Sequence, residues 1–218
     1  MNTNRNQRFK LLFDTLDWTQ TQKDIIFGTL LGDASLQTQN KGRTHRYKFL
    51  QSNIHKEYFH HVISQLKPWM HKNSHFNIER KVWENETLAH SKWNFWNHLF
   101  YETKKNGLRK KQIPKNQDLE LYLTPRAIAY WFMDDGGLLA SNSKAIVFYT
   151  QAFTTQEVRR LGEFLYHKYS LETWVKFNKQ KPVLGISGKS FEITKELIGK
   201  FIQPCMQLKF PTNRIRRS

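Results

Sequence analysis

Ile26-Phe-Gly-Thr-Leu-Leu-Gly-Asp33-Ala34 and Ile128-Ala-Tyr-Trp-Phe-Met-Asp-Asp135-Gly136 share one layout. Each is an apolar run that stops on an acid beside small residues. Each follows a helix start. Thr21-Gln-Lys-Asp24 offers a hydroxyl cap with an acid three residues on, and Thr124-Pro125 offers a cap with proline at the first helical position. Apolar residues on most faces predict helices buried on several sides. Glycine near each end permits the turn that stops the helix.

Working outward, the segments after the two runs match. Arg43–Asn53 alternates as a strand, with Tyr47, Phe49 and Gln51 on one face and Arg46, Lys48 and Leu50 on the other. A helix is predicted over His55–Trp69, then strands near His75–Val82 and Thr87–Trp93. After the second run, Ala145–Gln151 reads as a strand, and Thr154 opens a helix to about Tyr169. Thr173–Asn178 and Pro182–Ile186 form a hairpin, and Ser190–Phe201 closes as a helix. The chain therefore repeats with a period of about 100 residues, too long for a solenoid unit. Four pairs mark the repeat: Asp33 with Asp135, Gln51 with Gln151, the helix at His55 with that at Thr155, and Lys111 with Lys209, each of these lysines shortly before a proline. Two copies of one α+β domain are expected, joined near Asn116–Tyr122.

The composition restricts the partner. Apolar residues make up 39% of 218, with 16 Phe, 8 Tyr and 7 Trp, enough for a core. Lys and Arg number 35 against 18 Asp and Glu, a net charge of +17. A field of that sign favours a polyanion. A membrane is a poor candidate, because no run of about 18 apolar residues occurs. Met1–Lys10 is polar and basic and lacks the apolar core of a secretory signal. The single cysteine, Cys205, excludes an internal disulfide and a cysteine-rich zinc site. The nine histidines show no metal-ligand spacing.

Gly28 and Gly32 lie one helical turn apart on one face, and small residues so spaced let helix backbones approach closely. Two such helices side by side bring Asp33 and Asp135 together. Close carboxylates raise each other's pKa unless a cation lies between them. Mg²⁺ commonly takes one or two carboxylates, with water and phosphate oxygens completing its shell, and ions beside a phosphodiester can activate water and stabilise the leaving oxygen. Charge, acids and repeat thus converge on nuclease chemistry.

The two runs resemble the paired motifs of LAGLIDADG homing endonucleases of the monomeric, group I intron-encoded type. Leu121-Tyr-Leu-Thr-Pro-Arg-Ala-Ile-Ala-Tyr-Trp-Phe-Met-Asp-Asp-Gly-Gly137 is close to organellar members that cut ribosomal RNA genes, and the likeness spans Thr21–Pro211. It implies two pseudo-symmetric αββαββα subdomains, residues 1–118 and 119–218, with the motif helices at their interface and antiparallel β-saddles over double-stranded DNA. It implies Mg²⁺-dependent double-strand cleavage of a long target, the intron-less allele, leaving 3′ overhangs and promoting intron homing. By resemblance Asp33 and Asp135 are the metal-binding catalytic acids. The carbonyls of Ala34 and Gly136 join the metal shell, Lys111 and Lys209 stabilise charge, and Gln51 and Gln151 position water. The sequence departs from the family pattern at Leu31 and Met133, often acidic, and at Tyr130 and Asp134, often small. Asp134 leaves a second candidate beside Asp135 for the second metal ligand. Gln51 and Gln151 have an alternative as base readers, since glutamine can bond adenine.

Arg43, Arg46, Lys48, Arg80, Lys81, Lys176 and Lys179 lie on or beside strands and are expected to contact DNA. The tail Arg214–Arg217 is expected on backbone phosphates. A monomer in an organelle, chloroplast ahead of mitochondrion, is the implied setting. The rival reading is an RNA maturase bound to intron RNA, and a third is a DNA-binding module without catalysis.

Overall fold

Thr19 caps the first motif helix, accepting from the Gln22 amide while the Gln22 side chain accepts from the Thr19 amide. This corrects the sequence frame, which places the cap at Thr21 with Asp24. Two overlapping frames compete here, and the earlier one wins because Thr21 and Asp24 are engaged elsewhere, by Arg126. The helix, α2 (Gln20–Leu31), follows α1 (Asn2–Thr15). The chain is described here by a computed structural model covering residues 2–104 and 107–211. The tail Arg214–Arg217 lies outside the described residues.

From α2 the chain runs through β1 (Ser35–Gln37), β2 (Arg46–Ser52), α3 (Lys56–Gln65), β3 (His75–Asn77), β4 (Val82–Glu86) and α4 (Trp93–Phe100). A small hairpin, β5 (Tyr101–Thr103) and β6 (Arg109–Lys111), and a connecting helix, α5 (Asn116–Tyr122), follow. Then the pattern recurs in α6 (Pro125–Asp135), β7 (Gly136–Leu138), β8 (Ile146–Phe148), α7 (Thr155–Tyr169), β9 (Thr173–Asn178), β10 (Lys181–Ile186) and α8 (Phe191–Ile198). Each half is an αββαββα unit, as the family resemblance implies. The two four-stranded sheets are antiparallel, in the orders β1-β2-β4-β3 and β7-β8-β10-β9.

Local chemistry explains the elements. In β2, Tyr47, Phe49 and Gln51 are buried and Arg46, Lys48 and Leu50 are not, the alternation of a strand with one covered face. Thr124 caps α6, accepting from the Ala127 amide, with Pro125 following. Thr154 and Glu157 form a capping box at α7. The stretch Thr87–Trp93, expected as a strand, instead leads into α4. There Trp93, Trp96 and Phe100 share one buried helix face at i, i+3 and i+7. Their aromatic content resembles a strand, but their spacing is helical. The expected strand Ala145–Gln151 shortens to β8, and Gln151 falls in the turn after it.

Behind the first sheet Trp18 stacks on Trp69 with ring centroids 4.9 Å apart, and Trp93 and Trp96 pack against the same indole. In the second half Trp131 stacks on Phe148 at 3.9 Å. Among the described residues no helix is long and apolar enough to cross a membrane.

Candidate active site at the ends of the motif helices

The two motif helices touch backbone to side chain. A Cβ on Gly28 would lie 2.3 Å from the Ala127 carbonyl oxygen and 2.9 Å from Tyr130 Cβ. One on Gly32 would lie 2.5 Å from Asp134 Cβ. Only glycine permits this approach, since contacts under 3.0 Å force something to shift. Gly28 with Tyr130 and Gly32 with Asp134 are both offsets of 102 positions, so these pairs flank the pseudo-two-fold axis. The same offset relates Asp33 to Asp135.

Asp134 faces the first half. Its carboxylate accepts from the Asp33 amide at 3.1 Å, from the Tyr58 hydroxyl at 2.8 Å and from the Gln51 side chain at 3.4 Å. Asp134 is buried, Asp135 half-buried and Asp33 exposed. Gln51 also donates to Asp33 Oδ2 at 2.5 Å, so the first of the two glutamines stands beside its acid.

The second glutamine does not. With Ser35 equivalent to Gly137, the partners Lys48 and Val147 correspond, and three residues further Gln51 corresponds to Thr150. Thr150 is buried and donates to the Pro182 carbonyl at 2.9 Å. The sequence pairing of Gln51 with Gln151 is therefore one residue out of register, and a one-residue slip puts a side chain on the opposite face. Gln151 makes no hydrogen bond to Asp135 among the described residues.

The two lysines hold equivalent places. Lys111 Nζ, at the end of β6, donates to the carbonyls of Gly32 at 2.9 Å and Ala34 at 3.0 Å. Lys209 Nζ, in the 3₁₀ turn Pro204–Lys209, donates to those of Met133 at 2.7 Å and Asp134 at 3.1 Å. Each ammonium thus sits at the C-terminal end of a motif helix, where orphan carbonyls and the helix dipole favour a cation. The Ala34 carbonyl is engaged by Lys111. Gly136 starts β7 opposite Phe148.

The charges in this cluster are mutually strained. Burial, and then the Asp33 charge, push the Asp135 carboxyl up to about 7 despite Lys111 and Lys209. Burial raises Asp33 as well, against the pull of Lys209, Gln51 and Lys111. Asp134 stands well above the usual carboxylate range through burial and its two acidic neighbours. Burial lowers Lys111 to about 8 and also lowers Lys209, while the three acids work against it. Protein packs around these carboxyls, yet Asp33 and Asp135 keep a face to solvent. Oxygen donors of one sign, partly desolvated and accessible, suit a hard divalent cation. Among the described residues no group of three or more His, Cys, Asp or Glu side chains is arranged to hold a metal ion. Water and phosphate oxygens would have to complete its shell.

The expected DNA contacts fall on the sheets and their tips. Arg43 is exposed in the β1–β2 loop, Arg80 and Lys81 lie in the β3–β4 turn, and Lys179 lies in the β9–β10 turn. Lys176 is exposed on β9. Arg46 and Lys48 project from the open face of β2, each paired with an acid of β4: Arg46 with Glu86 and Lys48 with Glu84, both at 2.9 Å. These acidic partners on the same face were not read from the sequence. The strand pairing of Lys48 with Glu86 and of Leu50 with Glu84, which brings them there, is a tertiary fact.

Comparison with known proteins supplies the family. Residues 23–193 match the LAGLIDADG DNA endonuclease family. DNA endonuclease I-ChuI of Chlamydomonas applanata is 34% identical over 208 residues, covering 88% of this chain and 94% of its own. The cytochrome b mRNA maturase bI2 of Saccharomyces cerevisiae is 30% identical over 199 residues, covering 85% of this chain but 46% of its own. The homing endonuclease I-WcaI, solved bound to its DNA recognition sequence, superposes with a TM-score of 0.80 at 27% identity, covering 95% of this chain and 92% of that one. The family model spans most of the residues that build the two αββαββα units and the helix ends between them, and the chain belongs to the LAGLIDADG DNA endonuclease family.

Proposed function

We propose that the protein is a homing endonuclease that makes a Mg²⁺-dependent double-strand break in a long DNA target. The target is the intron-less allele of an organellar gene, a ribosomal RNA gene in a chloroplast by family resemblance. Cleavage leaves 3′ overhangs and promotes intron homing. One observation carries this reading. Two closely packed helices deliver Asp33 and Asp135 to one place, flanked by Lys111 and Lys209, between two antiparallel sheets of a strongly basic chain.

Asp33 and Asp135 would hold Mg²⁺, with the carbonyls of Ala34 and Gly136 as further donors. The bound ion supplies activation of water and stabilisation of the departing oxygen. The Gln51 amide fixes the Asp33 carboxylate and orients water near it. Lys111 and Lys209 set positive charge where negative charge accumulates as the phosphodiester opens. Water forms the new bond to phosphorus and gives up a proton to solvent, the bond from phosphorus to the 3′ oxygen breaks, and that oxygen takes a proton from solvent. Arg43, Arg46, Lys48, Arg80, Lys81, Lys176 and Lys179 contact the duplex. The chain acts as a monomer, its halves 1–118 and 119–218 doing the work of a dimer.

The test is plasmid cleavage on intron-less organellar ribosomal DNA, with and without Mg²⁺. Linearisation at one site is expected, abolished by EDTA. Asp33→Asn and Asp135→Asn should each slow it on the order of 100-fold or more, since even residues that only orient metal ligands cost 10–100-fold. Activity that survives Asp135→Asn would move the second ligand to Asp134.

A second reading, an RNA maturase acting on intron RNA, is favoured by the likeness to the bI2 maturase. Tight binding to intron RNA without cleavage by wild type would promote it. Both motif acids are retained here, which supports the nuclease.

A further inference from the structure

The two halves share a fold but not the surroundings of their acids. Around Asp33, first-half donors converge on a second-half carboxylate. The Tyr58 hydroxyl from α3, the Gln51 amide from β2 and the Asp33 main-chain amide all point at Asp134, and Gln51 reaches Asp33 Oδ2 as well. Tyr58 is fully buried, and Asp134 and Gln51 nearly so. The Asp33 backbone and carboxylate are therefore both held from behind.

The corresponding positions around Asp135 cannot do this. Across the axis Asp134 faces Gly32, which has no side chain. In the sheet register Thr150 replaces Gln51, and its hydroxyl is turned to the Pro182 carbonyl. The first buried residue of α7 is Val158, where that of α3 is Tyr58. Among the described residues the Asp135 carboxylate accepts no hydrogen bond from a side chain. One centre is thus preorganised by a hydrogen-bonded cluster, and the other is left to its lysines and to DNA.

We infer that Asp134 and Tyr58 are positioning residues for the Asp33 centre alone, so that their loss slows the cut made at that centre and spares the other. The inference rests on the endonuclease reading above. A group fixed in its working geometry loses little on reaching the transition state, whereas a free one must be ordered during the reaction. Tyr58 is fully buried and Asp134 nearly so. They act through Gln51 and the Asp33 main chain.

The experiment follows supercoiled plasmid and end-labelled duplex carrying the cleaved target, recording nicked circle, linear product and the rate on each strand. Tyr58→Phe keeps the ring and removes the hydroxyl. It should slow the cut of one strand about tenfold or more, the lower range for residues that orient ligands, and leave the other within twofold. Gln51→Ala should slow the same strand. DNA affinity in EDTA should stay within twofold, and thermal unfolding reports on folding. Should Tyr58→Phe fail to fold, Asp134→Asn, equal in size and still an acceptor, should give the same strand bias. Equal slowing of both strands, no slowing, or opposite strands for Tyr58→Phe and Gln51→Ala overturns the inference. If wild type does not cut at all, the endonuclease reading falls and takes this inference with it.

Discussion

Glu157 shows how one side chain can join the halves. It closes the capping box of α7 through Thr154, accepts the Ile113 amide at 3.0 Å and lies 3.7 Å from Lys110 Nζ. Burial would raise its pKa, but the bonds from Thr154 and Ile113 and the Lys110 charge outweigh it and hold the carboxyl below its ordinary 4.5. A carboxyl depressed in the fold stabilises it above the unfolded value, and that contribution is lost as pH falls through the folded value. Acid unfolding of wild type should therefore include a component below pH 4.5 that Glu157→Gln lacks. At neutral pH the same substitution should cost about 1 kcal/mol. Chemical denaturation across pH 3–7 checks both, and an unchanged pH profile would remove Glu157 from the account. The helix start at Thr154 was legible in the sequence. The reach to Ile113 was not, because nothing local links residue 157 to the end of β6.

At the scale of elements, the α2–α6 contact decides whether a site exists. Glycine at 28 has the Ala127 carbonyl and Tyr130 Cβ where a methyl would go. Gly28→Ala must therefore push the helices apart, and overpacking of this kind costs about 1–3 kcal/mol. The expected result is a lower thermal midpoint with cleavage falling further than stability explains, because Asp33 and Asp135 separate. A stability equal to wild type would show that the helices are not in contact there. The glycine spacing predicts close approach, and the helix ends with their acids were read correctly. The three-residue strands β1 and β7 escaped, since three residues give no alternation to detect. The helix α4 escaped because tryptophan and phenylalanine suit strands as well as helices.

For the whole molecule, the net charge is +17, and Arg43, Arg80, Lys81, Lys176 and Lys179 stand on the two sheets and their tips. Each phosphate neutralised by Lys or Arg should contribute about −0.9 to the slope of log affinity against log salt. Arg80→Ala, Lys81→Ala and Lys179→Ala should each reduce that slope by about 1 and weaken binding uniformly across sequences. Filter binding between low and moderate salt measures it, and a slope unchanged by all three would place the duplex elsewhere. Arg46 and Lys48 differ in kind: Glu86 and Glu84 already hold them, so their contribution depends on what DNA offers those acids.

By itself the sequence determined the repeat, the two motif helices and the matched positions of Asp33 with Asp135 and of Lys111 with Lys209, because spacing, capping and charge are local and survive in a linear reading. The tertiary structure alone decided which residues meet. Sheet register put Thr150 rather than Gln151 in the place of Gln51, and helix packing set Asp134 against Gly32 and turned it toward Tyr58 and the Asp33 amide. The physical reason is that a one-residue slip in a strand reverses a side chain, and contacts across a domain interface leave no period in the chain.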